Sequence, residues 1–315
     1  MDPRDEGEIF DYFCGLWEQK KTGGSRHTPE TWNTRADDWE KELAQSSSFH
    51  RSLEERVSRV AAYLRGRGLL TGESRVMDIG CGPGRFAVEF AKTAGYVAGM
   101  DISPRMLELA SAYARERSQQ NVSFIQGDFE EADVDALGWT GGFDLVFTSI
   151  TPAVGTRENL KKAMKISRGY CFNSSFIRWG DSLEQQIAED VFEKEYTPFL
   201  DNRGRFYSLF NLLWLTGYLP ETFYHQQSQT EQVKAGEDLA RYYARCFSAD
   251  KTADGHSVAR IGEYLSKQAS AQGLIQRRTE RWYGWMLWDV RNPAAKTECR
   301  KDTGSNAGQR KIPKN

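Results

Sequence analysis

The sequence predicts an α/β protein built on a doubly wound, largely parallel sheet, and three observations lead there. An apolar segment, Val76-Met-Asp-Ile, breaks into a turn with glycines at 80, 82 and 84 and enters a helical run from Arg85 to Lys92. A second apolar segment, Gly95 to Asp101, ends on an acid; Ser103-Pro104 follows, suited to a helix cap and first turn. Beyond these, strand and helix patterns alternate with short links as far as residue 177, which is the mark of stacked βαβ units.

Each element follows in chain order. Residues 1–50 precede the sheet and read as a helical lid: Ile9, Phe10, Phe13, Leu16 and Trp17 form one apolar stripe. Thr28-Pro29 opens a second helix in which Trp32, Arg35, Ala36 and Trp39 share a face. Whether that face covers a ligand or packs on the sheet edge is open. A helix over 53–70 leads into strand one. Strand three is Asn121 to Gln126, strand four Gly142 to Thr148, and strand five Gly169 to Ile177. Residues 51–180 are thus the expected core. Between 181 and 275 the helical patterns 181–196, 207–218, 232–247 and 256–271 surround strand six at 220–229, an expected helical cap inserted between core elements. The aromatic run Arg278 to Trp288 reads as the final strand within 276–292. The tail 296–315, rich in Gly, Ser, Asn and basic residues, reads as disordered.

The glycine loop places backbone where a ligand can approach without meeting a Cβ. A dinucleotide fingerprint wants its third glycine one position later, where this chain has Arg85. Asp101 leaves strand two at the position from which an acid can accept both ribose hydroxyl protons, and it is equally suited to hold the start of its own helix. Asp78 either braces the loop or touches ligand. Cys81 suits a crowded turn.

Taken together, Val76–Gly84, Tyr96–Asp101, Asn121–Glu130 and Gly142–Pro152 resemble, in order and spacing, the motifs of the class I S-adenosylmethionine-dependent methyltransferases. The resemblance covers residues 70–155. It implies a Rossmann-like, seven-stranded sheet whose last strand is antiparallel and lies beside strand five, with S-adenosylmethionine as cofactor and S-adenosylhomocysteine as product. It carries the cofactor site onto Asp78, Gly80, Cys81, Gly82 and Gly84, onto Asp101 with Ile102 and Met106, and onto Asp128, Phe129 and Thr148. Asp101 would hold the ribose, Asp128 the adenine amine, and Phe129 would cover the ring. Small-molecule members of the family carry a helix like that of Trp32 and Trp39 folded over the cofactor.

The acceptor is less legible, because methyl transfer obliges few side chains. Thr-Ser-Ile-Thr-Pro after Phe147 lacks the Asp/Asn-Pro-Pro-Tyr/Phe signature of exocyclic-amine methylation, and paired cysteines for pyrimidine carbon methylation are missing. His27 and Thr151 are the candidate catalytic groups; Thr148, Ser149 and Thr151 are equally suited to backbone bonding. Trp32, Trp39, Trp179 and Tyr207 are candidates for an acceptor pocket, planar or cationic, with Trp214, Trp282 and Trp285 as further aromatics. No His, Cys, Asp or Glu cluster has metal-ligand spacing, so no metal is expected.

A net charge of −2 over 315 residues supplies no field to attract nucleic acid or an anionic membrane. Five scattered cysteines without a C-x-x-C pair, and an acidic N-terminus, suit a cytoplasmic protein. The expected function is methyl transfer to a small molecule. An RNA or protein acceptor is the alternative, for which Lys20, Lys21, Arg26, Arg203 and Arg205 are the local basic residues. A non-catalytic cofactor-binding regulator is the third reading.

Overall fold

The computed structural model describes residues 3–18, 28–45, 47–196, 200–248, 252–291 and 293. Helices α1 (Pro3–Glu18), α2 (Pro29–Gln45) and α3 (Ser47–Gly66) lead into β1 (Arg75–Ile79). Then follow α4 (Arg85–Ala91), β2 (Tyr96–Asp101), α5 (Pro104–Glu116), β3 (Val122–Gln126), β4 (Phe143–Ser149), α6 (Arg157–Ile166) and β5 (Ser167–Asp181). The C-terminal part holds α7 (Ser182–Asp190), β6 (Leu200–Asp201), α8 (Arg203–Leu215), β7 (Glu221–Lys234), α9 (Glu237–Phe247), α10 (Gly255–Gln268) and β8 (Leu274–Asp289).

The strands lie in the order β3-β2-β1-β4-β5-β8-β7, and the first five are parallel. β8 enters antiparallel between β5 and β7, as the sequence led one to expect. The two-residue β6 pairs with β5 and was not foreseen; so short a segment leaves no periodic trace. Strands β5, β7 and β8 also run longer than their apolar patterns. Ser174–Asp181, Gln227–Lys234 and Leu274–Arg281 continue the ladder beyond the core sheet. Much of that extension is polar and solvent-facing, so alternation alone marks its end poorly.

Side-chain alternation splits the sheet between two cores. On one face Met77, Val146, Met286 and Trp288 pack with α1, α6 and α8. On the other, Val76, Leu145, Phe147 and Leu287 pack with α3 and α4. Phe147 and Phe172, both fully buried, stack with centroids 5.3 Å apart between the two central strands. Truncating either to alanine should cost about 3–5 kcal/mol. A third cluster joins α7, α9 and α10 through Leu183, Ile187, Tyr243 and Ile261. The N-terminal segment divides: α1 packs on α8, while α2 lies on α5 and α3 on α4. Among the described residues, no helix is long and apolar enough to cross a membrane.

Candidate active site

A cleft of about 1150 Å³ opens at the carboxyl ends of the strands. The loop after β1 forms its floor. Gly80 and Cys81 both donate backbone N–H bonds to Met100 O, at 2.8 and 3.0 Å, which pulls the loop over the end of β2. Three of its glycines have left-handed backbones, with φ of 69° at Gly80, 52° at Gly82 and 72° at Gly84. Two have a steric reason besides. A Cβ on Gly80 would lie 2.7 Å from Thr151 Cβ and closer still to its Oγ1, and one on Gly84 would lie 2.8 Å from Ala110 Cβ. Gly82 has only Met106 Sδ nearby, at 3.9 Å, so its backbone faces open space.

Asp101 closes the loop from the side. Its Oδ2 accepts the Gly82 N–H at 2.8 Å and its Oδ1 accepts the Ser103 N–H at 2.9 Å. One carboxylate thus ties the glycine turn to the start of α5, where Ser103 caps the helix through Met106 N. Burial raises the Asp101 pKa, and these backbone donors oppose that shift. Asp78 is buried deeper. Its carboxyl faces the Ala87 N–H in the first turn of α4, yet Oδ2 has no hydrogen-bond partner among the described residues. Desolvation, with Asp101 close by, pushes it up to about 8. Asp78 therefore favours its protonated form at neutral pH.

These features fit S-adenosylmethionine on local grounds. A glycine cradle admits a ligand close to backbone, a half-used Asp101 carboxylate can accept further hydroxyl protons, and a cation brought near the orphaned Asp78 oxygen would favour its charged form.

Gly80, Cys81, Gly82, Asp101, Ile102, Met106, Asp128 and Phe129 all line the cleft, as does Asp78. Two candidates do not. Gly84 is the N-cap residue of α4, pressed on α5. Thr148 is buried and turned toward β5, donating to Phe172 O at 3.2 Å and accepting from Asn173 Nδ2 at 2.9 Å. Phe129 reaches the cleft, but at 3% exposure it also belongs to the core and sits beneath Lys162 Nζ. Asp128 is exposed and accepts the Glu130 N–H at 2.9 Å. The Cys81 thiol is packed toward Gly99 and driven well above its ordinary pKa by burial, so it is no thiolate.

α2 and α3 roof the cleft, with Trp32, Arg35 and Trp39 on its wall and Ala36 fully buried beneath them. α2 is pinned to α5. Asn33 Oδ1 accepts from Ser103 Oγ at 2.7 Å, and Arg105 pairs with Asp37 at 3.0 Å and Glu40 at 2.9 Å. Trp179 lines the far end of the cleft. Tyr207 is elsewhere: its ring is 56% exposed and stands edge-on to Phe13 on the α1 side. Trp214 is also exposed, while Trp285 belongs to the core beneath the sheet. Thr151 lines the cleft, and its hydroxyl accepts the Ala153 N–H at 3.2 Å. Its neighbour Ile150 has φ 50°, unusual for a β-branched residue, and its N–H bonds Ser174 O. His27, Lys20, Lys21, Arg26 and the tail from 296 lie outside the described residues. Arg205 turns inward and stacks over Trp17 at 4.9 Å.

Sequence reading missed the wall opposite Asp101. It is built by Arg56 of α3, Phe176 of β5, and Thr279, Arg281 and Tyr283 of β8. The two-residue spacing on β8 places its three residues on one face, a signal masked by the neighbouring tryptophans.

Several known proteins are similar to this chain. An aklanonic acid methyltransferase of Streptomyces is 33% identical over 117 residues, covering 35% of this chain and 52% of its own length. A demethylmenaquinone methyltransferase of Lactococcus lactis is 33% identical over 85 residues, 24% of this chain and 33% of its own. This chain spans between about a fifth and about half of the length of the curated relatives it matches. Among solved structures, the YcgJ protein of Bacillus subtilis aligns with 15% identity over 74% of this chain and 99% of its own, at a TM-score of 0.45. Magnesium protoporphyrin IX methyltransferase of Synechocystis, solved with S-adenosylhomocysteine, aligns with 15% identity over 90% and 99%, at a TM-score of 0.40. The family model for the methyltransferase domain matches residues 70–269, more than half of the chain. With the strand order described above, that match shows that the chain belongs to the methyltransferase-domain family.

Proposed function

We propose that this chain transfers a methyl group to a small-molecule acceptor, releasing S-adenosylhomocysteine. The observation that supports this reading is the two-ended cleft. Asp101 and Asp128 stand at the β2–β3 end; Phe176, Trp179 and Tyr283 stand at the β5–β8 end. Three strand spacings of about 4.8 Å separate β2 from β5, roughly 14 Å, so the two ends serve different parts of the bound pair. α2 and α3 cover the space between, which suits an enclosed small acceptor better than a folded macromolecule. Relatives named for aklanonic acid and demethylmenaquinone agree with it, although another relative is named for 23S rRNA.

S-adenosylmethionine, when bound, supplies an electrophilic methyl group on a sulfonium. The chain's own work is placement. In-line transfer needs the acceptor atom roughly 3 Å from the methyl and water kept out. In this reading Asp101 orients the ribose, Asp128 and Phe129 the adenine, and Gly80–Gly82 admit the amino-acid portion. Trp32 and Trp39 shed water from the roof. Thr151, packed against Gly80, holds the β4 loop; its hydroxyl already accepts a backbone proton, so it serves better as a positioning residue than as a base.

Methyl-labelled S-adenosylmethionine incubated with the protein and a host extract tests the reading. Label should appear in the low-molecular-weight fraction and depend on the undesalted extract. Label confined to RNA or protein would refute a small acceptor.

A further inference from the structure

The wall of the cleft formed by α3 and β8 carries two guanidinium groups with no acid between them. Arg56 lies over the rings of Phe86 and Tyr283, 5.2 Å from each centroid. Its Nη1 is shielded from solvent and has no hydrogen-bond partner among the described residues. Arg281, two residues before Tyr283 on the same strand face, stacks over Trp179 at 5.7 Å and reaches Ser52 Oγ at 3.5 Å. No ion pair to a carboxylate is present on either arginine among the described residues. Of two further arginines lining the cleft beyond them, Arg277 is spent on Asp181 at 2.8 Å and Glu231 at 3.8 Å, and Arg245 donates through Nε to Arg241 O at 3.4 Å. Glu55, the acid nearest on α3, is bound to Arg59 and, through Oε2, to Gln227. Trp179 Nε1, on the same wall, is likewise buried without an acceptor.

An unpartnered buried cation is costly, and a second cation facing it adds repulsion. Burial, together with Arg281, holds the Arg56 pKa below its ordinary value. An anion placed between the two groups would relieve both costs, and planar forks of this kind match an oxyanion. Aromatic faces beside them suit a flat body attached to that anion.

We infer that the β5–β8 end of the cleft binds an acceptor bearing a carboxylate, held between Arg56 and Arg281, with its planar portion against Phe176, Trp179 and Tyr283. This deepens the methyltransferase reading and rests on it. It also turns the aromatic pocket away from cationic acceptors, which both guanidiniums would repel.

Calorimetry with 2-naphthoate tests the inference, using protein saturated with S-adenosylhomocysteine, with 2-naphthamide as neutral control and phenyl phosphate as a second anion. Naphthoate should bind saturably and more tightly than naphthamide. Arg281→Gln and Arg56→Gln should each weaken it roughly tenfold to hundredfold, as losing charge-assisted bonds does, while S-adenosylhomocysteine affinity stays as in the parent. Arg281→Gln, at a half-buried strand position, keeps the test valid if Arg56→Gln fails to fold. Naphthoate no tighter than naphthamide, or unchanged by Arg281→Gln, would overturn the proposal. Phenyl phosphate held in preference to naphthoate would overturn the carboxylate. Weakened S-adenosylhomocysteine in Arg281→Gln would reassign the pair to the cofactor's own carboxylate. Failure of the parent protein to bind S-adenosylhomocysteine at all would instead sink the methyltransferase reading beneath it.

Discussion

Replacing Asp78 by Asn probes the electrostatics of the cleft through the protons it exchanges on binding. With its pKa pushed up to about 8, the ligand-free carboxyl is about nine-tenths protonated at pH 7. Its Oδ2 has no partner to give up. A positive charge brought to about 5 Å, at an effective dielectric of about 20, favours the carboxylate by about 3 kcal/mol, or roughly two pH units. Asp78 then ionises to about nine-tenths, and binding S-adenosylmethionine should release about 0.8 proton. Titration calorimetry in two buffers of different ionisation enthalpy, such as phosphate and Tris, measures that number from the difference in apparent heat. Asp78→Asn should abolish most of it. Equal heats in both buffers for the parent, or the same proton release in Asp78→Asn, would refute the argument. The sign for stability follows from the same shift. The folded pKa lies above the unfolded one, so the ligand-free parent is most stable below pH 3.8 as far as this group goes, and loses that contribution as pH rises toward 8. Asp78→Asn, which has no such group, should gain stability relative to the parent across that window.

Other outcomes follow from the same geometry. Gly80→Ala meets Thr151 and a φ of 69°, so urea denaturation should show a loss of about 2–4 kcal/mol; Gly82→Ala, with open space, should lose about 1 kcal/mol. Asp101→Ala should weaken S-adenosylhomocysteine binding by about 1.5–3 kcal/mol by calorimetry, since it removes the tie to Gly82 as well as any ribose bond. Asp181, almost fully buried, pairs with Arg277, meets the Tyr243 hydroxyl and caps α7. Asp181→Ala should therefore lower stability by about 3–5 kcal/mol, whereas Arg67→Ala, which loses an exposed pair with Glu221, should change it by under about 1 kcal/mol.

The core of the fold was legible because its rules are local. Glycines 80, 82 and 84, Asp101 with Ser103-Pro104, and the apolar strands between them each state a backbone requirement within a few residues. The antiparallel entry of the last strand came from resemblance, not from periodicity. Local pattern did less well in the extension of β5, β7 and β8, where polar residues, solvent-facing above all in β7, blur strand ends. Among site residues the sequence could say which types sat near the loop, but not which way they faced. Thr148 and Thr151 are three residues apart, at the end of β4 and in the loop after it, yet Thr148 turns to Phe172 O and Thr151 toward the cleft.

By itself, then, the sequence determined the glycine-loop end of the cleft: a tight turn, an acid after strand two, and a helix start are bonds made between near neighbours. Only the tertiary structure decided the β5–β8 end of the cleft, because Ser52, Arg56, Trp179 and Arg281 come from α3, β5 and β8, more than a hundred residues apart in the chain, and meet only when β8 inserts beside β5. No local rule encodes that meeting; the long-range ladder does.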